Sequence, residues 1–155
     1  MKIITVSGAH SNVGKTTFIE GLLGKLRGWS CLKVTVLHKG NCPVGKICSG
    51  CEKLSSKFVI IHDKRILQQK GKDTERFKRA GAKQVLWLRS KPHGLKHGLA
   101  AALSRFKNTK GLIIEGTSVL KHFAPDLAIL IKKRDSLLKD SAQKSIKRVD
   151  LILTL

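Results

Sequence analysis

From Ala9 to Thr16 the chain reads Ala-His-Ser-Asn-Val-Gly-Lys-Thr, with Gly8 just before it. This fits the phosphate-loop pattern G-x-x-x-x-G-K-[ST], with Ala in the first place. Successive backbone N–H groups through Ser11, Asn12, Val13, Gly14, Lys15, Thr16 and Thr17 would then face one concavity at a helix N-terminus. Unpaired donors and the helix dipole favour anionic oxygens there. Gly14 lets the main chain approach phosphates without a side chain between. Lys15 is placed to reach the β- and γ-phosphates, and the Thr16 hydroxyl to ligate Mg²⁺. The expected ligand is a nucleoside triphosphate.

Further residue sets carry chemistry. Glu115 ends the apolar run Leu112-Ile113-Ile114 and is followed by Gly116; an acid at that sheet edge can hold the Mg²⁺ hydration shell or orient a water towards the γ-phosphate. Asp73 and Thr74 open a helical stretch, where either can serve as a cap; alternatively Asp73 joins Thr16 and Glu115 around the metal. Lys133 and Asp135, in Lys-Lys-Arg-Asp after an apolar run, fit part of the Asn/Thr-Lys-x-Asp pattern that reads guanine, with Lys132 where Asn or Thr is usual. The reading leans to GTP over ATP. Cys42, Cys48 and Cys51 are spaced C-x5-C-x2-C. Close-set thiols of this kind suit Zn²⁺, with Cys31 or His38 as fourth ligand, or an iron–sulfur cluster; three free thiols in a loop are the alternative.

The elements that must position these groups follow from periodicity. Lys2 to Ser7 is a short β-branched run that reads as a buried strand, and Lys15 to about Arg27 carries Phe18, Leu22, Leu23 and Leu26 at helical spacing. Further strands are expected over 32–38, 57–62, 84–88, 111–115, 127–131 and 149–153, and helices over 73–80 and 93–106. Helices alternating with unbroken apolar strands indicate an α/β fold, a mainly parallel sheet with helices on both faces. With the phosphate loop, that is the three-layer P-loop NTPase architecture. At 155 residues the chain reads as a single domain, 1–155, with a Cys-rich insert at about 39–56.

Lys and Arg number 31 against 10 acidic residues, a formal net charge of +21. Such a surface attracts polyanions: nucleotides, phosphorylated metabolites or acidic proteins. The basic residues are spread in ones and twos, there is no Tyr and there are only two Trp, so a stacking platform for nucleic acid is not expected. No apolar run has membrane-span length and the chain enters a strand at once, which leads to the expectation of a cytoplasmic protein without a targeting segment.

Taken together, GAHSNVGKTTFIEGLL at 8–23, His38 after the second strand, GKDTERFKRAGA at 71–82 and LIIEG at 112–116 resemble the molybdopterin-guanine dinucleotide biosynthesis protein B (MobB) family. The segment with Gly71-Lys72-Asp73 is more discriminating than the phosphate loop, which many families share. The resemblance implies a homodimer that binds GTP with Mg²⁺, hydrolyses it slowly, and assists the guanylyltransferase that attaches GMP to molybdopterin. It places the family's Walker residues on Lys15 and Thr16 and its acids on Asp73 and Glu115. The chain departs from the family at the cysteine-rich insert and at Thr117-Ser118, where Phe is usual. A second reading, a metallochaperone or metal sensor whose Cys42/Cys48/Cys51 loop is switched by nucleotide, uses the same phosphate loop. A small-molecule kinase would use it too.

Overall fold

The computed structural model describes residues 1–37, 54–134, 137 and 140–155. His38, Cys42, Cys48, Cys51 and Asp135 lie outside the described residues.

The apolar runs form the strands β1 (Lys2–Gly8), β2 (Ser30–Val36), β3 (Phe58–Ile61), β4 (Val85–Ser90), β5 (Gly111–Glu115), β6 (Leu127–Lys132) and β7 (Leu151–Thr154). They make one seven-stranded sheet in the order β3-β4-β2-β5-β1-β6-β7. Every neighbouring pair is parallel except β3 with β4. The α/β, mainly parallel reading therefore holds, with one antiparallel edge. The helices are α1 (Lys15–Lys25), α2 (Lys64–Leu67), α3 (Asp73–Arg79), α4 (Leu95–Leu103) and α5 (Asp140–Gln143). None among the described residues is long and apolar enough to cross a membrane.

Side chains alternate across a strand, so each central strand supplies two cores. Cys31 of β2 and Ile113 of β5 pack with Val6 of β1, Ile19 and Leu23 of α1, and Phe77 of α3. Their neighbours Leu32, Leu112 and Ile114 face the other way, onto Leu95, Leu99 and Ala102 of α4. Thus α1 and α3 cover one face and α4 the other. A parallel sheet needs this double cover, because both faces are apolar.

Element boundaries depart from the periodicity in explicable places. The expected helix over 93–106 is a single 3-10 turn, Pro92–Gly94, followed by α4, which stops at Leu103. The chain is pinned at Gly94, where a Cβ would lie 2.4 Å from the carbonyl oxygen of Lys57. α1 ends at Lys25, ahead of Gly28 with φ +82°. β7 begins at Leu151 because Asp150 is occupied as a clasp. Its N–H donates to the Ala128 carbonyl at 2.9 Å, and its carboxylate accepts from the Ala128 N–H at 2.7 Å. The short α2 is started by Asp63, whose carboxylate accepts from the Arg65 N–H at 2.8 Å. Neither α2 nor α5 has enough residues to show helical periodicity.

Candidate functional site

β1 delivers the chain to the carboxyl edge of the sheet, where the Ala9 N–H donates to the Ile131 carbonyl of β6 at 2.8 Å. The loop then turns back. Asn12 (φ 59°) and Gly14 (φ 89°) take left-handed backbone, and between them the Val13 side chain is buried in the α1/α3 core as an anchor. Gly14 leads directly into α1, which has no side-chain cap. The first N–H groups of a helix have no intrahelical acceptor, so this turn presents Lys15, Thr16 and Thr17 as donors to whatever lies beyond it. The Lys15 stem folds back over Gly8: a Cβ there would sit 2.7 Å from Lys15 Cδ and 2.9 Å from Nζ. The ammonium donates to the His10 carbonyl at 3.2 Å.

Two carboxylates converge on the same edge. Glu115 ends β5 and Lys33 lies opposite it on β2, in register and on the face covered by α1 and α3. Lys33 Nζ lies 3.6 Å from Glu115 Oε2 and is also paired with the Asp73 carboxylate. Asp73 is the first residue of α3; its N-cap is Lys72, and no side chain caps the helix. The capping role considered for Asp73 and Thr74 is therefore not taken. Asp73 instead accepts the Thr16 hydroxyl at 2.9 Å. Thr74, buried, donates to the Leu67 carbonyl at 2.7 Å. Arg76, one turn along α3, donates to both oxygens of Glu20 at 2.9 and 2.5 Å and to the Thr17 hydroxyl at 3.2 Å. That fork ties α3 to α1 and fixes Asp73 against Thr16.

These groups enclose an open cavity of about 510 Å³ lined by Ser11, Asn12, Gly14, Lys15, Thr16, Thr17, Lys33, Asp73, Arg76 and Glu115. Burial lowers the Lys15 pKa; nearby Glu115 opposes the shift and Lys33 adds to it. Glu115 is 7% exposed, and its Oε2 accepts no hydrogen bond. A buried carboxylate oxygen in that condition is incomplete. Two carboxylates and a hydroxyl are hard oxygen donors, the kind Mg²⁺ takes together with waters and phosphate oxygens. Among the described residues, no three His, Cys, Asp or Glu side chains form a metal-binding group.

Of the residues expected at the site, Ser11, Asn12, Gly14, Lys15, Thr16, Thr17, Asp73 and Glu115 come together around the cavity. The Val13 side chain lies in the core, outside the cavity lining. Lys133 is exposed after β6 and outside the cavity lining. Cys31 is fully buried in the apolar core, which raises its pKa well above that of a free thiol. Its possible partners in the cysteine set, Cys42, Cys48, Cys51 and His38, lie outside the described residues. Lys33 and Arg76 were not anticipated. Lys33 lies within an ordinary strand, and only the β2–β5 register reveals its partner. Arg76 is one of several basic residues in the segment from Lys72 to Arg79.

Scans against protein-family models, curated proteins and solved structures return no match to this chain.

Proposed function

We propose that this is a P-loop nucleotide-binding protein that takes GTP with Mg²⁺ and hydrolyses it slowly. We further propose that it acts as an accessory protein of molybdenum cofactor guanylation. The observation that carries the nucleotide reading is the open cavity at the sheet's carboxyl edge, ringed by the phosphate-loop residues and two acids. Parallel α/β sheets bind ligands at that edge.

In this reading Lys15 and the first-turn amides of α1 hold the phosphate chain, and Gly14 allows the approach. Thr16, Asp73 and Glu115 would hold Mg²⁺, directly or through its waters; when bound, the ion neutralises charge on the phosphate oxygens. Glu115, which ends β5 and lines the cavity, is suited to orient a water towards the terminal phosphate. Arg76 keeps α3 against α1 so that Thr16 and Asp73 act as one unit. The preference for guanine rests on Lys133 and Asp135. The homodimer, the molybdopterin substrate and the guanylyltransferase partner rest on the family resemblance, and the cytoplasmic placement rests on sequence alone. Calorimetric titration with GTP and with ATP, each with Mg²⁺ and with chelator, is the test. Tighter, Mg²⁺-dependent binding of GTP is expected; equal affinities remove the guanine assignment, and no binding of either removes the nucleotide reading.

A further inference from the structure

The site already contains a cation. Lys33 is paired with Asp73, lies 3.6 Å from Glu115, and lines the same cavity as Lys15. Its backbone is fixed: β2 is an interior strand of the sheet, and Lys33 stands directly across from Glu115 in the β2–β5 ladder. Its side chain is not fixed in the same way, because a lysine carries a compact charge on a flexible stem with three rotatable donors. Two positive groups, Lys15 and Lys33, face two negative ones, Asp73 and Glu115, so the four balance.

A divalent ion entering this arrangement alone would meet an ammonium already seated between the carboxylates it needs. Like charges at such separations repel strongly in a partly buried site. A triphosphate changes the situation by offering Lys33 other oxygens within the same cavity. The ion pair is also less than complete. The Glu115 side chain is only 9% exposed, yet its Oε2 accepts no hydrogen bond and stands beyond hydrogen-bond distance from Lys33. The Lys33–Glu115 contact is thus an ion pair without a hydrogen bond. Glu115 itself lines the same cavity as Lys33.

We infer that Lys33 is a resident counter-ion that keeps divalent metal away from Asp73 and Glu115 until a phosphate chain draws its ammonium aside, so that metal uptake depends on nucleotide. This rests on the nucleotide reading above and adds to it a residue that couples the two ligands. Linkage requires the coupling to be mutual: whatever factor nucleotide adds to metal affinity, metal adds to nucleotide affinity.

The probe is Mn²⁺ alone, titrated into the full chain and followed by electron paramagnetic resonance. Lys33→Met should bind Mn²⁺ without nucleotide about tenfold more tightly than wild type, or more, within the usual range of coupling between sites. Lys33→Arg, which retains a cation, should resemble wild type. In the wild-type chain GTP should strengthen Mn²⁺ binding by at least the same factor, and in Lys33→Met that enhancement should shrink. Circular dichroism checks the fold of each variant, and Lys33→Gln repeats the test with a neutral polar side chain.

Equal Mn²⁺ affinity in wild type and Lys33→Met overturns the inference, as does a Lys33→Arg chain that behaves like Lys33→Met. If neither neutral variant folds, the wild-type titration decides: Mn²⁺ affinity indifferent to bound GTP overturns the inference. GTP titrated without metal separates the two layers. A chain that binds GTP but shows no Lys33 effect retains the nucleotide reading and loses this one. A chain that ignores GTP loses both the nucleotide reading and the coupling that rests on it.

Discussion

Replacing Lys15 with Met separates the site's chemistry from the fold's stability, because the structure assigns the two halves of this side chain different tasks. The stem crosses Gly8, a task that Met can perform at similar length. The ammonium donates at 3.2 Å to the His10 carbonyl and lines the cavity. In the nucleotide reading it makes charge-assisted contacts to phosphate, which contribute about 1.5–3 kcal/mol each. Losing one such contact weakens the GTP dissociation constant by roughly 10- to 150-fold. The stability effect has the opposite sign. Burial lowers the folded-state pKa of Lys15 from 10.5, so the fold disfavours the charged form. Between the folded value and 10.5 the unfolded chain binds more protons, and wild-type stability rises with pH across that window. Below the folded value the penalty is present in full. Lys15→Met should therefore be at least as stable as wild type near neutral pH, with the advantage fading as pH approaches 10.5. Calorimetry with Mg²⁺–GTP reads the first effect and urea melts across pH read the second. An unchanged GTP affinity would refute the role given to Lys15; a variant that loses stability near neutral pH would refute the burial argument.

Two further perturbations test how the frame holds the site. Gly111→Ala at the start of β5 would place a Cβ 2.4–2.5 Å from the Trp29 ring. Overpacking of this kind should cost about 1–3 kcal/mol in urea melts and shift Trp29 emission; a neutral result would mean that the indole has room to move. Asp126→Asn removes a carboxylate that accepts the Ile3 N–H at 2.7 Å and the Lys2 ammonium at 3.1 Å, bonds that lower its pKa from 3.8, the backbone bond most. The wild-type advantage in melting temperature should be present above 3.8 and fade as pH falls through the lower folded value. A difference that persists undiminished in strong acid contradicts the assignment.

What the sequence reveals here divides according to the range of the interaction. The strand–turn–helix from Lys2 to Lys25 was legible because its demands are local: a strand, a glycine with left-handed backbone, a lysine and a hydroxyl residue follow one another in a fixed order. The strands were legible because a parallel sheet covered on both faces leaves little place for polar residues, and runs such as Leu112-Ile113-Ile114 are unambiguous. Asp73 could be named but not assigned, since an acid at a helix start looks the same whether it caps or faces a ligand; only its contact with Thr16, 57 positions away, separates the two. Lys33 was invisible for a related reason. In a chain with 31 basic residues, one more lysine carries no signal, and its partner depends on a register that no local pattern encodes.

That register explains why the site forms where it does. Cys31 and Ile113 face α1 and α3, and the alternation carries Lys33 and Glu115 onto the same side two residues later, at the edge where both helices begin. The apolar pair seats the helices and the charged pair meets their N-termini. A shift of one residue between β2 and β5 would turn one side chain of each pair into the α4 core, so the packing that fixes register also fixes the electrostatics. The consequence is a site whose lining charges balance: Arg76 is held by Glu20, and Lys15 and Lys33 offset Asp73 and Glu115. The excess of +21 therefore lies elsewhere on the chain. A charge distributed in that way speeds the approach of an anion, an effect that salt weakens. In the nucleotide reading, the hold on a phosphate chain would come from directed donors in the loop, which salt weakens far less.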